Sequence, residues 1–530
     1  MPGVLNVLSP FSSLSTKNVP YYLLLVGPLS FALILAWRRM RSIPLPPGPR
    51  GSILLGAKSV LASRKNIWRQ YAQWAIEYGP IISFKSNRLT VIVLNSAETI
   101  HDLLEARCKI YSDRPGTPIF ELTGQSMNSG RISSQHPHFP IHRRIAHEEL
   151  SGRRMHRHLP SIEENVRILL RNLLLEPRKF RNHLHVCQGS IIMKTVYGYT
   201  ISSENDYFVD LIEGYHEVVN KTEQKIGLYW VNSYPILKYL PRWMPGAGFQ
   251  TVVAKSKAKV DEVMSLPFEW AKSEYASGNA YDSFVSSQLS RREAAAPMAR
   301  SSTEDDHILK NVSGSMYIAG VDTVGSVMTT FVLMMTLNPQ IQKIGQEELD
   351  RVVGRNRLPH ITDREQSPFA DAILKEVIRF NPPGPLALPH SVTQDDVYQG
   401  MFIPKGSRVV PNVWAVTHDD SVYPDPMKFD PTRSLSSFNS KTIPQPNPSK
   451  FVFGFGRRRC PGYELAEAAI FLQAASILLA FNIAKDLDAE KREVTPVVEF
   501  TGNFVVAPTD FVCRIEPRFE GVLELLEGSA

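Results

Sequence analysis

The sequence predicts a mainly α-helical fold with small β-sheets, in one large domain behind an N-terminal transmembrane helix. Three observations support this prediction. An uncharged apolar run occupies residues 20–37 and precedes a proline-rich stretch. Long helical patterns fill most of residues 97–380. The rest of the chain alternates loops with short strand patterns, such as RVVPNV at 408–413, before an Ala/Leu-rich helical pattern begins near residue 463.

Composition limits the classes of protein that need to be considered. The chain has 530 residues, of which 43% are hydrophobic and 21% charged, so it can bury a large core and is not a disordered chain. Its 59 basic and 52 acidic residues give a net charge of +7, which suits an acidic protein partner or an anionic membrane surface. Basic residues are not clustered as nucleic acid would require. We therefore expect no nucleic-acid partner.

The cysteines give no sign of a disulfide framework. The four residues lie far apart without a CxxC pair, which also argues against a cysteine zinc site. A reducing compartment is therefore predicted. They are Cys108, Cys187, Cys460 and Cys513.

The N-terminal run predicts a membrane anchor. As a helix, PYYLLLVGPLSFALILAW would span roughly 27 Å, near the lower limit for crossing a bilayer. Aromatic residues stand at both ends of the run: Tyr21, Tyr22 and Trp37. Three basic residues follow it, Arg38, Arg39 and Arg41, whereas Lys17 alone precedes it closely. The positive-inside rule then places the body of the protein in the cytosol. A cleaved signal peptide is the alternative, but no small-residue cleavage site follows the run.

The segment IPLPPGPRG predicts a boundary between anchor and globule. Its prolines fix φ and remove backbone donors, which makes a stiff, extended spacer. We expect an N-terminal tail and transmembrane anchor at residues 1–41, a proline-rich hinge at 42–51 and a globular domain at 52–530.

The second long apolar run, residues 312–337, could pass for a membrane helix by hydropathy. Asp322 lies near its middle among several Ser and Thr residues, and an unpartnered carboxylate inside a bilayer would cost several kcal/mol. A helix through the centre of a large soluble domain is the better interpretation. The adjacent Thr323, close to Gly320, could face a pocket, or the two polar residues could form a locally bonded pair.

The stretch FGFGRRRCPG, residues 453–462, places Cys460 after three arginines and before a predicted helix. Cations and a helix N-terminus both favour the thiolate, which is the form that binds metals. The glycines would let the backbone approach a flat ligand closely. A lone thiolate cannot hold zinc, but it can be the axial ligand of haem iron.

This loop resembles the haem-binding loop of the cytochrome P450 family. The family pattern Phe-x-x-Gly-x-Arg-x-Cys-x-Gly is met in full, and the other family signatures follow in order over about 480 residues. The resemblance implies the P450 fold, with residues 52–530 as the catalytic domain. It also implies haem b as the cofactor and Cys460 as the axial ligand of its iron. The matching residues are Phe453, Gly456, Arg458, Cys460 and Gly462.

AGVDT, residues 319–323, resembles the oxygen-activating segment of the family's long central helix. The resemblance implies that Ala319 and Gly320 contact the haem and that Asp322 and Thr323 are catalytic, as a proton relay. Val324 stands where the family usually has a second Thr or Ser.

KEVIR, residues 375–379, supplies Glu376 and Arg379 at helical i,i+3 spacing. Alone, such a pair is typical of a solvated surface. Together with Arg433 in FDPTRS, it resembles the family's buried Glu-Arg-Arg triad, which implies a structural role in bracing the haem-binding loop.

The resemblance also assigns Arg458, His390 and Arg143 to the haem propionates. The family commonly has Trp-Arg-x-x-Arg-Arg in an early helix, whereas this chain reads FPIHRR, with Phe139 and Pro140 replacing the first two residues. Histidines crowd this region, and a metal site there is an open but less favoured alternative to ordinary surface histidines. They are His136, His138, His142 and His147.

The function implied by the resemblance is that of a membrane-anchored haem-thiolate monooxygenase that hydroxylates or epoxidises a lipophilic small molecule. Electrons would come from NADPH through a flavoprotein reductase, with cytochrome b5 as a further partner. The sequence is most similar in character to fungal microsomal members that tailor secondary metabolites. That similarity implies a single-pass protein of the endoplasmic reticulum membrane with its catalytic domain in the cytosol.

Two other functions remain open from the sequence. One is an isomerase, dehydratase or peroxide-using enzyme of the same fold, although such members tend to lose the acid-alcohol pair that Asp322 and Thr323 retain. The other is a non-enzymatic haem protein of the membrane. The apolar segment at 234–249 is either a membrane contact or an ordinary connection between helices.

Overall fold

The structure is a computed structural model that describes residues 43–49, 51, 66–86, 89–201, 206–224, 229–295, 303–435 and 445–527. The predicted anchor, residues 20–37, lies outside the described residues. The chain divides into two compact units. Among the described residues, the smaller contains 43–46 and 395–403, and the larger contains the described parts of 47–394 and 404–527. The division at residues 46 and 47 falls inside the predicted hinge.

The described chain is mainly helical, as the sequence predicts. Its α-helices are α1 Ile67–Tyr78, α2 Ala97–Ile100, α3 Cys108–Tyr111, α4 Pro118–Leu122, α5 Phe139–Leu150, α6 Gly152–His156, α7 Leu159–Leu175, α8 Phe180–Tyr197, α9 Tyr207–Gln224, α10 Phe249–Ala276, α11 Phe284–Ala295, α12 Thr303–Leu337, α13 Pro339–Val352, α14 Pro368–Phe380, α15 Val413–Thr417, α16 Ser449–Val452, α17 Tyr463–Ala480 and α18 Val522–Glu527. Short 3₁₀ helices lie at Pro177–Lys179, Trp230–Asn232, Pro235–Tyr239, Ile361–Gln366, Pro431–Ser434 and Gly456–Arg458, and a π-helix lies at His101–Ala106.

The strands form three small sheets. They are β1 Ile81–Ser86, β2 Leu89–Leu94, β3 His390–Ser391, β4 Asp396–Tyr398, β5 Met401–Ile403, β6 Arg408–Pro411, β7 Phe481–Leu487, β8 Glu493–Val494 and β9 Cys513–Pro517. In the smaller unit, β4 and β5 form an antiparallel hairpin, and the Phe402 N–H donates to the Pro44 carbonyl at 2.7 Å.

Two sheets belong to the larger unit. The first has the order β1-β2-β6-β3, in which β2 and β6 are parallel and the other pairs antiparallel. It contains the strand pair that the sequence predicts at 82–95, and it places His390 opposite Val409. The second sheet has the order β8-β7-β9 and is antiparallel.

Helix α12 is the centre of the larger unit. Acidic residues in its first turn, such as Asp305, suit the positive end of the helix dipole. The helix ends at Leu337, directly before the Asn338-Pro339 step, because the residue before a proline disfavours helical geometry. It packs against α8, α10, α14 and α17. Tyr317, Phe331 and Met335 are fully buried. The second apolar run is therefore a core helix, as predicted, and α17, which follows the cysteine loop, is buried along most of its length.

Candidate active site

The loop that carries Cys460 is closed by backbone contacts that need glycine. The Cys460 N–H donates to the Phe453 carbonyl at 2.7 Å. Gly454 and Gly456 have φ values of 76° and 49°, in the left-handed region. A Cβ at Gly456 would lie 2.5 Å from the Leu104 carbonyl oxygen. The loop can therefore fold onto the π-helix only with glycine at 456, and this fold presents Cys460 just before α17.

Cys460 has solvent-accessible surface, but enough protein packs around its sulfur to raise the pKa of the thiol. Burial raises the pKa of the thiol, while the Gly462 N–H and the cations Arg143 and Arg459 lower it. The net direction is upward, so the expectation that three preceding arginines would favour the free thiolate is wrong. Arg457 and Arg458 turn away from the sulfur. A coordinated metal ion deprotonates a thiol outright, so the thiolate forms on coordination.

The side chains of Arg457 and Arg458 lie over the ring of Phe139, with guanidinium carbons 5.4 and 4.2 Å from its centroid. Phe139 is buried and begins α5, where the family commonly has tryptophan. Phenylalanine has no N–H to donate, but its face attracts a cation. At this position the chain therefore supports Arg458 instead of contributing a hydrogen-bond donor of its own.

Buried positive charge accumulates beside this loop. Burial is the main cause that lowers the pKa of Arg458, to about 9; Arg143 and Arg457 act in the same direction, and Asp113 acts against them. Asp113 already accepts hydrogen bonds from Ser133 Oγ and the Ser134 N–H, both at 2.7 Å. Within the described ranges, Nη1 of Arg458 is buried without a hydrogen-bond partner. Such a group fits an anionic ligand, and the propionates of a porphyrin supply two carboxylates.

All three predicted propionate residues are held by backbone carbonyls around this charge. Arg458 donates from Nε to the Ser112 carbonyl at 2.7 Å and from Nη2 to the Ile132 carbonyl at 2.6 Å. His390 is buried and donates from Nδ1 to the Tyr111 carbonyl at 2.7 Å. Burial and the neighbouring Arg114 hold the pKa of His390 well below its ordinary value. Arg143 donates to the carbonyl of Arg459, the residue that precedes Cys460.

Arg114 is a member of this cluster that sequence reasoning missed. Its Nη1 donates to the carbonyls of Leu388 and Pro389 at 2.6 and 2.8 Å, and its Nε to that of Gly130 at 2.8 Å. Burial lowers its pKa well below the usual value, and Arg458 and other cations add to this effect. The available signal was the Arg-Pro step in SDRP, residues 112–115.

The central helix turns Ala319 and Thr323 toward open space. Ala319 is exposed and Thr323 half-buried, although most of α12 is buried. The Thr323 hydroxyl donates to the Ala319 carbonyl at 2.8 Å. Gly320 has a different role from the one expected, since a Cβ there would lie 2.5 Å from Cδ1 of Ile192 in α8. A side chain at 320 would force Ile192 to move, so glycine favours close packing of the two helices. Contact of Gly320 with a cofactor stays a prediction.

Asp322 faces two histidines from neighbouring helices. Its Oδ1 lies 3.5 Å from Nε2 of His185 in α8 and 3.1 Å from Nδ1 of His216 in α9. Burial acts to raise the pKa of Asp322, but the two imidazoles outweigh it and hold this pKa well below its ordinary value. Asp322 is therefore an ionised carboxylate with basic neighbours.

The structure brings Glu376, Arg379 and Arg433 together in the core. Arg379 binds Glu376 through two hydrogen bonds of 2.8 and 2.9 Å, and Arg433 Nε lies 3.4 Å from the same carboxylate. Burial raises the pKa of Glu376, against the effect of Arg379. All three side chains are less than 10% exposed.

The triad holds a chain segment upstream of the cysteine loop. Arg379 donates to the carbonyls of Thr417 and Pro426, both at 2.8 Å, and Arg433 donates to that of Asp425 at 2.7 Å. Within this segment, the Tyr423 hydroxyl donates to the Pro446 carbonyl at 2.8 Å, close to the start of the loop. A bracing role for the triad would therefore act through residues 417–430.

The histidine-rich region does not bring metal ligands together. His138 pairs with Glu304 at 2.8 Å, and His142 is bonded to Ser129 at 3.0 Å. Burial lowers the pKa of His142 to about 4. In the part of the chain that the structure describes, the group of three potential ligands within 4.8 Å of one another lies elsewhere, at His185, His216 and Asp322.

Replacement of Glu376 by Gln should destabilise the protein strongly. The change leaves Arg379 charged and buried without its counter-ion, which costs roughly 3–5 kcal/mol. Urea unfolding of the purified protein would measure the loss. Glu176→Gln is the matched control, because Glu176 pairs with Lys179 at the same i,i+3 spacing but at the surface, where no measurable change is expected. Equal stability of the two variants would contradict the bracing role.

Arg114→Gln should weaken haem retention while the fold is kept. Loss of a charged hydrogen-bond donor costs about 1.5–3 kcal/mol, so haem should leave roughly ten to a hundred times faster. Transfer of haem to an excess of apomyoglobin would measure the rate. Arg153→Gln, at an exposed position, should behave as the wild type. If haem leaves Arg114→Gln at the wild-type rate, Arg114 is not one of the residues that bind the propionates.

Comparison with known proteins agrees with this geometry. The sequence profile of the family described as Cytochrome P450 matches residues 46–509. The chain is similar to cytochrome P450 monooxygenase claR of Ampulloclitocybe clavipes, with 35% identity over 92% of this chain and 89% of the relative. It is also similar to cytochrome P450 monooxygenase COX2 of Coprinopsis cinerea, with 36% identity over 93% of each chain.

A third relative is cytochrome P450 monooxygenase 208 of Postia placenta, with 33% identity over 90% of each chain. The family binds haem through a cysteine thiolate and receives electrons from a redox partner. The loop at Cys460 and the buried cations beside it fit that cofactor. The chain therefore belongs to the cytochrome P450 family, as the sequence predicted, and its activity is that of a haem-thiolate monooxygenase.

Proposed function

We propose that this protein inserts one oxygen atom from O2 into a lipophilic small molecule, by hydroxylation or epoxidation, as a tailoring step in secondary metabolism. The observation that carries the proposal is the placement of Asp322 and Thr323. The Thr323 hydroxyl faces open space beside Ala319, and Asp322 stands next to it in the chain with two imidazoles around it. An acid-alcohol pair of this kind serves proton delivery, which O2 activation requires.

The thiolate-bound haem supplies the cleavage of the O–O bond and the transfer of one oxygen atom. Cys460 would hold the iron, and the propionates would be held by Arg458, His390, Arg143 and Arg114. Backbone carbonyls orient their guanidinium and imidazole groups, and side chains held in this way suit a defined binding geometry.

Thr323 orients a proton donor in the site. Because its hydroxyl hydrogen is given to the Ala319 carbonyl, its oxygen presents lone pairs that accept a hydrogen bond from water or substrate. Asp322 stays ionised next to it, and His185 and His216 place imidazole groups, which commonly take part in proton transfer, within 3.5 Å of the carboxylate. Protons would pass from solvent to the site along these residues.

A membrane location is part of the proposal. Five large apolar side chains between residues 230 and 243 are more than 40% exposed, and we call this group the apolar face: Trp230, Tyr234, Ile236, Tyr239 and Trp243. Aromatic residues favour the membrane interface. With an anchor at residues 20–37, the apolar face supports a single-pass protein of the endoplasmic reticulum that takes its substrate from lipid.

The electron donor is proposed to be an NADPH-dependent flavoprotein reductase, with cytochrome b5 as a second donor. Lys450, Arg457 and Arg459 are exposed close to Cys460 in the chain. A positive surface near the thiolate suits an acidic flavin domain, because opposite charges steer association.

The first experiment tests the reaction and Thr323 together. In a host that co-expresses a reductase, feeding with terpenoids, polyketides and aromatic amines should give a product that is heavier by one oxygen. Thr323→Ala should continue to consume NADPH, but product per NADPH should fall by at least about tenfold, because general acid catalysis contributes about 10²-fold or more. The missing electrons should appear as hydrogen peroxide.

Thr336→Ala is the matched control for this variant. Thr336 lies on the same helix and bonds to the carbonyl four residues earlier at 2.8 Å, but it is buried in the core. Its loss should leave product per NADPH unchanged. If Thr323→Ala keeps wild-type coupling, the relay assignment fails. If product forms without NADPH and O2, the isomerase or peroxide alternative replaces the monooxygenase.

A second experiment tests the membrane proposal. A variant without residues 1–41 should bind haem and leave the integral membrane fraction, but it should retain weak binding to lipid vesicles through the apolar face. Replacement of Tyr239 and Trp243 by serine in this variant should remove that binding, as measured by flotation. Ile76→Ser, at a position that is 81% exposed on α1, is the control and should have no effect. Equal flotation of all variants would contradict the assignment of the apolar face.

A further inference from the structure

His185, His216 and Asp322 come from three different helices and meet at one point. His185 lies on α8, His216 on α9 and Asp322 on α12. Within the described ranges, this is the one group of three His, Cys, Asp or Glu side chains whose ligand atoms all lie within 4.8 Å of one another. The proton relay needs only the carboxylate and a proton carrier, so two imidazoles on one carboxylate call for a further explanation.

We propose that His185, His216 and Asp322 form a binding site for a divalent transition-metal ion of the zinc class, separate from the haem iron. Two imidazoles and one carboxylate are a common ligand set for zinc and related ions, with the remaining position open to water. The ion would use Nε2 of His185, Nδ1 of His216 and a carboxylate oxygen of Asp322.

The distances fit such a site. In a tetrahedral zinc centre with bonds of about 2.0–2.1 Å, neighbouring ligand atoms lie about 3.3 Å apart. Oδ1 of Asp322 is 3.5 Å from the His185 nitrogen and 3.1 Å from the His216 nitrogen. Among the described residues, Nδ1 of His216 is buried without a well-formed hydrogen bond, so its lone pair is not committed to a protein donor.

A second carboxylate supports His185 from behind. Oε1 of Glu213 lies 3.4 Å from Nδ1 of His185, the nitrogen that faces away from Asp322. Metal-binding histidines usually direct their other nitrogen to a carboxylate, which fixes the tautomer and makes the ligand more basic. Glu213 and His216 share α9 at i,i+3 spacing, so one helix face supplies both a ligand and this supporting acid.

The ion can reach the site. The three side chains retain exposures of 25% for His185, 15% for His216 and 24% for Asp322, so solvent contacts the group without the protein opening. Bound metal would occupy the Asp322 carboxylate. If Asp322 is part of the proposed relay, zinc would slow proton delivery and act as an inhibitor from outside the substrate pocket. Metal binding itself does not depend on the relay.

Zinc binding to the haem-loaded protein is the direct test. After treatment with a chelator, equilibrium dialysis against buffered Zn²⁺ with elemental analysis should show one zinc per haem iron. His216→Gln and Asp322→Asn should each raise the zinc dissociation constant by at least about tenfold, and Glu213→Gln by about ten- to a hundredfold, as for other supporting residues. His147→Gln, an exposed histidine on α5, should bind zinc as the wild type does.

Two outcomes would overturn the site. The first is zinc binding that is unaffected by His216→Gln and Asp322→Asn but lost in His138→Gln, which would place the ion in the histidine-rich region. The second is the absence of stoichiometric zinc. Zinc-edge X-ray absorption of the wild-type protein tests the ligand set without any variant that could misfold. It should show two imidazole ligands and no sulfur ligand. Failure of the relay would appear separately, as zinc that binds without changing product per NADPH.

Discussion

The buried positive charge around Arg458 is the constraint on which the rest of the active site depends. Arg458 and Arg143 both lower the pKa of Arg114, and Arg143 lowers that of Arg458. Asp113, the acid among them, already accepts hydrogen bonds from Ser133 and Ser134. Such a group is unfavourable unless an anion enters. The same guanidinium groups fasten distant loops to each other through their carbonyls. The carboxylates of the proposed haem propionates would complete the charge balance of this cluster.

The central helix serves two functions on two faces. Ala319 and Thr323 face open space, whereas Gly320 and Asp322 face the neighbouring helices. Tight packing at Gly320 against Ile192 fixes the distance between α12 and α8, and this distance brings His185 within reach of Asp322. Close packing at Gly320 therefore accompanies the contact between Asp322 and His185, on which the proposed proton relay depends.

Sequence reasoning succeeded where the information is local. The cysteine loop, the strand pair at 82–95 and the core character of α12 follow from residues that are close in the chain. It failed where the chemistry depends on long-range contacts: Arg114 had only an Arg-Pro step as a signal, and His185 and His216 carry no pattern that links them to Asp322. The pKa of the Cys460 thiol was expected to be lowered, and it is raised, for a related reason. The sequence shows which cations are near Cys460 in the chain. It does not show which of them turn toward Phe139, or how much protein surrounds the sulfur.

The substitution at Phe139 shows how the site can change without losing its cofactor. The family's tryptophan would donate an N–H, and phenylalanine cannot, yet its ring lies 4.2 Å from the Arg458 guanidinium. A cation over an aromatic face keeps its charge and its direction, so Arg458 can be held by Phe139 on one side and by two carbonyls on the other. Arg114 adds a further charge to the same cluster. In place of the N–H that tryptophan would donate, the chain has a cation held on two sides, and we expect the propionates to be bound by the cluster of cations rather than by one residue.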